Sequence, residues 1–436
     1  MKKYIVDDIP VDLHSERKSR HELLQEYVTD SKREGKAEHF FVCDIGDIIE
    51  KYQQWVRLLP SVKLFYAMKC NPDKAVLQIL ADLGASFDCA SKNEIETVLG
   101  LGVNPDRVIY THTQKRVTSL IYAERNNVSL MTFDSEMELH KIKSHHPKAR
   151  LLLRILLHEK FEGRETFGNK FGCPSFQIRD LLQLAKELEL NVVGISFHVG
   201  SGITDPGAYA SALKQSRKAF EMARETGFNP NILDIGGGFP GEHNTSDFFQ
   251  KITEILKETL DDLFPPEECV DIIAEPGRYM VASAYTIVDN ITGKRLFPTK
   301  SLERENGNEP EKDTNEGAGK TFMYYLNDSV FGNFLVGKMF NPMNIPHVPK
   351  LFKAGEDVVS HESVLWGFTC NSVDCINASV RMPELDIGDW LYFEDMGAYT
   401  KSLSSNFNGL ETPEIKYHCL ETSWLQVYPD THKGKE

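Results

Sequence analysis

The chain has 436 residues with a formal net charge of -15, and its 41% hydrophobic content is ample for real cores. That length predicts two or three domains, and the acidic balance, with a pI near 5.5, argues against nucleic acid or an anionic membrane surface as a partner. No apolar run reaches the length of a membrane span, and the charged N-terminus shows no secretory h-region. Eight scattered cysteines without a CxxC pair read as reduced thiols, so a cytoplasmic protein is expected.

Residues 1–45 carry a weak strand (Tyr4–Val6), a helix-like piece (Glu22–Val28) and a stronger strand (His39–Ile45). A β/α alternation follows. Helical periods at Ile48–Leu58, Ala75–Leu83 and Lys92–Leu101 interleave with short apolar strands. These are Leu64–Met68, Ser86–Cys89, Val108–Thr111, Ser129–Phe133, Ala149–Ile155, Val192–Phe197, Ile232–Ile235 and Asp271–Ala274. Eight strands with intervening helices over roughly 240 residues predict a (β/α)8 barrel. After Arg278 the rhythm changes to strands without comparable helices: Ala284–Asn290, Thr321–Tyr325, Trp390–Phe393 and Glu414–His418. The expected organisation is an N-terminal segment 1–45 joining the β domain, a barrel at 46–283, and a mostly β domain at 284–436 with a mobile loop at 299–320.

Lys69 closes the first barrel strand, where barrel enzymes gather catalytic groups, and a partly desolvated lysine there can form a Schiff base with a carbonyl. Gly236-Gly237-Gly238 directly after a strand reads equally as a tight turn or a phosphate cradle. GxGxxG is not matched there, so NAD is not inferred. His198, in Ser196-Phe197-His198-Val199-Gly200-Ser201-Gly202, reads as a general base, a ring stacked on a planar cofactor, or a structural histidine. No second ligand stands at metal spacing, and no metal is expected. Glu275 ends the eighth strand, with Arg278 three residues on. They suit a pyridine nitrogen and a phosphate, or form an ordinary ion pair. Cys370 lies in a loop and Tyr399 just after a strand; neither identifies a function alone.

Taken together, YAMKCN, FDCAS, SFHVGSG, LDIGGGFPG, AEPGR, WGFTC and FEDMGAYT resemble the eukaryotic ornithine decarboxylase family over about residues 38–420. That resemblance implies an α/β fold of alanine-racemase-like type (fold type III), with pyridoxal 5'-phosphate as cofactor. It implies that Lys69 carries the cofactor, His198 stacks on its ring, Glu275 pairs with the ring nitrogen, and Ser201, Gly238, Arg278 and Tyr399 hold the phosphate. Cys370 would protonate the carbanion left after carbon dioxide departs. A homodimer with shared active sites is implied, with Lys170 and Asp374 at the positions that pair across its interface.

Departures from the family pattern concern the substrate. The family reads WGPTCDGLD, whereas this chain reads WGFTCNSVD, with Phe368, Asn371, Ser372 and Val373. The aspartate replaced by Asn371 helps hold the distal ammonium of ornithine. Its acidic partner in a Tyr-Asp pair has Phe340-Asn341 as its nearest counterpart. Taking an ammonium out of water without a countercharge costs several kcal/mol, whereas burying an aliphatic side chain gains roughly 1.5 to 3 kcal/mol. A neutral aliphatic substrate such as leucine is therefore expected. The alternatives are an ornithine decarboxylase and a regulator resembling the antizyme inhibitors. The antizyme-binding stretch corresponds to about residues 117–141, where Glu138 and Lys141 are kept but Ile121 replaces a lysine, which implies weak antizyme binding.

Overall fold

The computed structural model describes residues 2–6, 9–36, 38–158, 170–298, 320–339, 348–352 and 359–429. The expected loop at 299–320 and the pair Phe340-Asn341 fall outside these, apart from Lys320, which opens a strand. Two compact units are present. One comprises Ile5–Ile9, Ile45–Ser283 and Ser423–Glu436; the other comprises Met1–Tyr4, Pro10–Asp44 and Ala284–Thr422, so the expected N-terminal segment 1–45 divides between them.

The first unit is a closed barrel of eight parallel strands: Val62–Ala67, Ser86–Cys89, Val108–Tyr110, Leu130–Phe133, Arg150–Arg154, Asn191–Ser196, Ile232–Asp234 and Asp271–Ala274. Strand eight pairs back onto strand one through Ile272↔Val62, Ile273↔Lys63 and Ala274↔Leu64. The strands are nearly continuous apolar runs because both faces are covered. Phe65, Ile109, Leu130, Leu152, Val193, Ile232 and Ile273 pack together inside, so the barrel is a filled core and not a pore. Local chemistry starts the outer helices. Asp73 caps Lys74–Asp82, its carboxylate accepting from the Ala75 amide at 3.0 Å, and Ala75, Val76, Ile79 and Leu80 give that helix its buried stripe. The chain after Ser423 groups with the barrel: Gln53 donates to Gln426 at 2.6 Å, and the Tyr428 hydroxyl donates to Asp82. The expected β domain ran on to 436; these side-chain bonds are the physical reason the last turns group elsewhere.

The second unit is a ten-stranded sheet in which Phe40–Asp44 lies between Glu414–Leu420 and Tyr285–Pro298. Helix Arg20–Arg33 begins with a capping box between Ser19 and Glu22. It buries Leu23, Leu24, Tyr27 and Val28 against Phe40, Val42, Val288, Trp390 and Tyr392. Ile9–His14, Ser360–Trp366 and Cys375–Pro383 are further strands that the sequence reading did not single out. Among the described residues no helix is long and apolar enough to cross a membrane.

Candidate active site

In a parallel barrel every strand ends at the same face, so residues just past strands one, six, seven and eight converge. Lys69 sits in a single 3-10 turn, Met68–Cys70, immediately after the first strand. Its ammonium Nζ donates to Asp88 Oδ2 at 2.6 Å. The Asp88 side chain is fully buried at the end of strand two, whereas the Lys69 side chain is 41% exposed. The other Asp88 oxygen accepts from the Thr111 hydroxyl. Asp88 was not singled out in the sequence, although it stands in FDCAS; strand pairing of Ala67 with Asp88 delivers it to the lysine.

Glu275 follows strand eight, and its amide donates to the Gly236 carbonyl at 2.7 Å. Its Oε1 is buried without a hydrogen-bond partner. Burial pushes the Glu275 carboxyl well above the ordinary range; Asp234 and Asp88 add to this and Lys69 opposes it. Asp234, at the end of strand seven, is pushed up to about 6, chiefly by burial, despite accepting from Ser196 Oγ and the Gly236 amide. Asp234 was not foreseen either.

His198 accepts the Gly200 amide hydrogen on Nδ1 at 3.0 Å. That bond places the proton of a neutral ring on Nε2. Burial, then the positive charges of Arg154 and Lys69, hold its pKa well below the usual histidine value, so the ring is uncharged at neutral pH. Gly237 permits a close approach of strand ends: a Cβ there would lie 2.6 Å from the Glu275 carbonyl oxygen and 3.1 Å from His198 Nε2. Gly238 has φ +105, and a Cβ on it would lie 2.4 Å from the Gly200 carbonyl oxygen. The buried Tyr209 hydroxyl, absent from the sequence reading, donates to the Gly237 carbonyl at 3.0 Å and steadies this loop. Arg278 is 7% exposed. Its guanidinium lies 3.5 Å from both Ser201 Oγ and Glu242 Oε1.

Lys69, His198, Ser201, Gly238, Glu275 and Arg278 are thus gathered in the barrel unit, while Cys370, Asn371 and Tyr399 belong to the sheet unit. Tyr399 has a left-handed backbone, φ 57, which is strained for a residue with a side chain. Cys370 is exposed, and its amide donates to Asn408 Oδ1 at 3.2 Å. Asn371 Oδ1 accepts from the Val373 amide at 3.0 Å. The Asp374 side chain is 1% exposed, and its Oδ2 accepts from the Thr369 amide at 2.9 Å. Lys170 Nζ lies over the Phe171 ring at 5.0 Å. Among the described residues no group of three acidic, histidine or cysteine side chains is arranged to hold a metal.

The donor set fits a planar cationic heterocycle bearing a phosphate. Glu275 Oε1 lacks a proton donor, a neutral imidazole offers a flat face, and two glycine loops with Ser201 and Arg278 offer anion donors. Residues 45–282 match the family described as "Pyridoxal-dependent decarboxylase, pyridoxal binding domain". The chain belongs to that family. It is a pyridoxal-phosphate-dependent carboxy-lyase of fold type III. It is 41% identical to an ornithine decarboxylase of Mus musculus over 426 residues, covering 97% of this chain and 90% of that protein. It is 43% identical to an antizyme inhibitor 2 of Xenopus laevis over 408 residues, covering 93% and 86%. Among solved structures, the arginine decarboxylase of Paramecium bursaria Chlorella virus matches with a TM-score of 0.82 at 35% identity, covering 91% of this chain and 100% of that one.

Proposed function

We propose that this carboxy-lyase acts on a neutral aliphatic amino acid, leucine first, releasing carbon dioxide and an amine. The observation that carries this reading is the Asn371 amide. Its oxygen already accepts the Val373 N–H at 3.0 Å, and the group is a neutral amide. A neutral amide supplies no countercharge to a buried ammonium, whereas a carboxylate would. On the same loop Phe368 and Val373 are apolar and 53% and 62% exposed. The named relatives include ornithine and arginine decarboxylases, so an ornithine decarboxylase is the competing reading.

Bound pyridoxal phosphate would supply an aldehyde for Lys69 and an electron-accepting ring. Asp88, 2.6 Å from Nζ, is placed to take the proton that the lysine must lose before it can act as a nucleophile. Glu275 Oε1 would accept a hydrogen bond from a protonated ring nitrogen, and that cation would favour its ionised form. Neutral His198 would face the ring, while Ser201, Gly238, Arg278 and Tyr399 would hold the phosphate. Cys370 would hold the proton destined for the substrate carbon, in a homodimer whose shared sites its exposed loop completes.

An antizyme-inhibitor-like role finds less support. Glu138 is 0% exposed and lies between Lys115 Nζ at 2.9 Å and Lys141 Nζ at 2.5 Å, so this carboxylate is committed internally. Weak antizyme binding, if retained, would rest on other side chains of the stretch 117–141.

Amine release by the purified holoenzyme from ornithine, lysine, arginine, leucine, isoleucine, valine and methionine tests the reading. Leucine or another neutral amino acid should lead; ornithine turned over faster would sink it. Loss of all turnover together with the absence of a cofactor absorbance band sensitive to Lys69→Ala would favour the regulator instead.

A further inference from the structure

We infer that Thr111 is a positioning residue for Asp88, its hydroxyl keeping that buried carboxylate ionised once Lys69 is bonded to the cofactor; this rests on the reading of Asp88 as acceptor of the lysine proton. The two oxygens of Asp88 have separate partners. Oδ2 accepts from Lys69 Nζ at 2.6 Å, and Oδ1 accepts from the Thr111 hydroxyl. The Asp88 side chain is fully buried, so bulk water replaces neither donor. A buried hydroxyl ordinarily bonds a backbone carbonyl, as Thr132 Oγ1 does. Thr111 donates to a carboxylate instead, and such charge-assisted bonds are the stronger kind.

Strand register brings that hydroxyl to the acid. Strands two and three pair through Asp88↔Ile109 and Cys89↔Tyr110. Thr111, the next residue, extends this ladder, its amide donating to the Cys89 carbonyl at 3.0 Å. Its own carbonyl accepts from Thr132 Oγ1 at 2.6 Å. The Thr132 carbonyl in turn accepts from Lys115 Nζ at 2.6 Å, whose charge Glu138 meets at 2.9 Å. With its backbone bonded on both sides, Thr111 keeps only its χ1 rotation, which β-branching restricts.

The charged and titratable neighbours of Asp88 come from several elements. They are Lys69 after strand one, Cys89 on strand two, Glu94 on helix Lys92–Gly100, Asp234 at the end of strand seven and Glu275 after strand eight. Apart from the lysine, each of these when ionised opposes a negative charge on Asp88. When Lys69 bonds the cofactor's carbonyl carbon, the carbonyl oxygen leaves as water with two of the three ammonium protons, the first passing through Oδ2. Oδ2 thereby loses its ammonium partner. Thr111 then remains as the donor that lets Asp88 hand on that proton and stay an anion, whereas a buried carboxylate without a donor would keep it.

The test counts the protons taken up when the full chain, stripped of cofactor, binds pyridoxal phosphate. Titration calorimetry in buffers of different ionisation enthalpy gives that count, and affinities are read at about pH 6 and about pH 8. Near the lower pH, Thr111→Val should take up about half a proton or more beyond the unsubstituted chain. Its affinity should fall by about tenfold at the higher pH and by less at the lower, because proton uptake favours binding in acid. Thr111→Ser should restore both readouts. Thr132→Val, which frees the Thr111 carbonyl, should move the same way by less and carries the test if Thr111→Val does not fold. An unchanged proton count, or the same affinity loss at both pH values, would overturn the inference, as would an effect of Thr111→Val that persists in an Asp88→Asn background. Lysine exchange unaltered in Asp88→Asn would instead overturn the acceptor reading, and the proton count would still judge Thr111.

Discussion

Lys69 Nζ and Asp88 Oδ2 stand 2.6 Å apart, joining the ends of two neighbouring strands across 19 residues of sequence. Asp88→Asn keeps the shape but loses the charge proposed to receive the lysine proton. The expected outcome is a fall in kcat of about 10²-fold or more, the usual scale for a lost proton acceptor. Stopped-flow cofactor absorbance should show slower exchange of Lys69 for substrate, with the far-UV spectrum unchanged.

The buried pair Asp234 and Glu275 makes stability depend on pH in a definite direction. Both carboxyls are raised, Asp234 to about 6, so the folded protein holds protons that the unfolded chain has already released. Stability contributed by these protons is complete below the ordinary carboxyl range and is lost as pH rises, through about 6 for Asp234 and through its own raised value for Glu275. The cofactor-free protein should therefore be less stable at pH 7 than at pH 5, by on the order of 1 to 3 kcal/mol, and show a correspondingly lower thermal midpoint. Cofactor bound with a cationic ring nitrogen should shrink that slope, and Asp234→Asn should flatten it. Scanning calorimetry at a series of pH values decides.

Asn371→Asp would give the loop a carboxylate, with one oxygen still free after the Val373 amide is satisfied. The ratio of kcat/KM for ornithine over leucine should rise by roughly ten- to a thousandfold, the range set by a partly paid ammonium desolvation. An unchanged ratio in steady-state assays would remove Asn371 from the substrate argument.

Gly237→Ala puts a methyl 2.6 Å from a backbone carbonyl that cannot swing aside. Glu275 and His198 must then separate, and cofactor affinity should fall by about 10-fold or more, at a strain cost on the order of 1 to 3 kcal/mol. Equilibrium dialysis of pyridoxal phosphate measures this directly.

Much of the barrel was legible because its signals are local. Each strand is a short apolar run, and the eight expected strands agree with the observed ones to within a residue or two. Ser360–Trp366 and Cys375–Pro383 escaped notice because they mix polar and apolar residues, and only pairing with each other defines them. In the site, Lys69, His198, Glu275 and Arg278 could be marked by their place after strands. Asp88, Asp234 and Tyr209 could not, since an acid or phenol within a buried run carries no sequence sign of what it will face.

The sequence by itself determined the β/α order and the face at which the strand ends gather, because these follow from periodicity and residue type; the loss of a carboxylate at Asn371 is what the resemblance to the family motif implies. Only the tertiary structure decided that Asp88 meets Lys69, that Glu275 Oε1 is left open, and that Asp374 and Glu138 are buried. The physical reason is that hydrogen-bond saturation and burial depend on neighbours brought together by strand register and loop closure, over distances that local pattern does not encode.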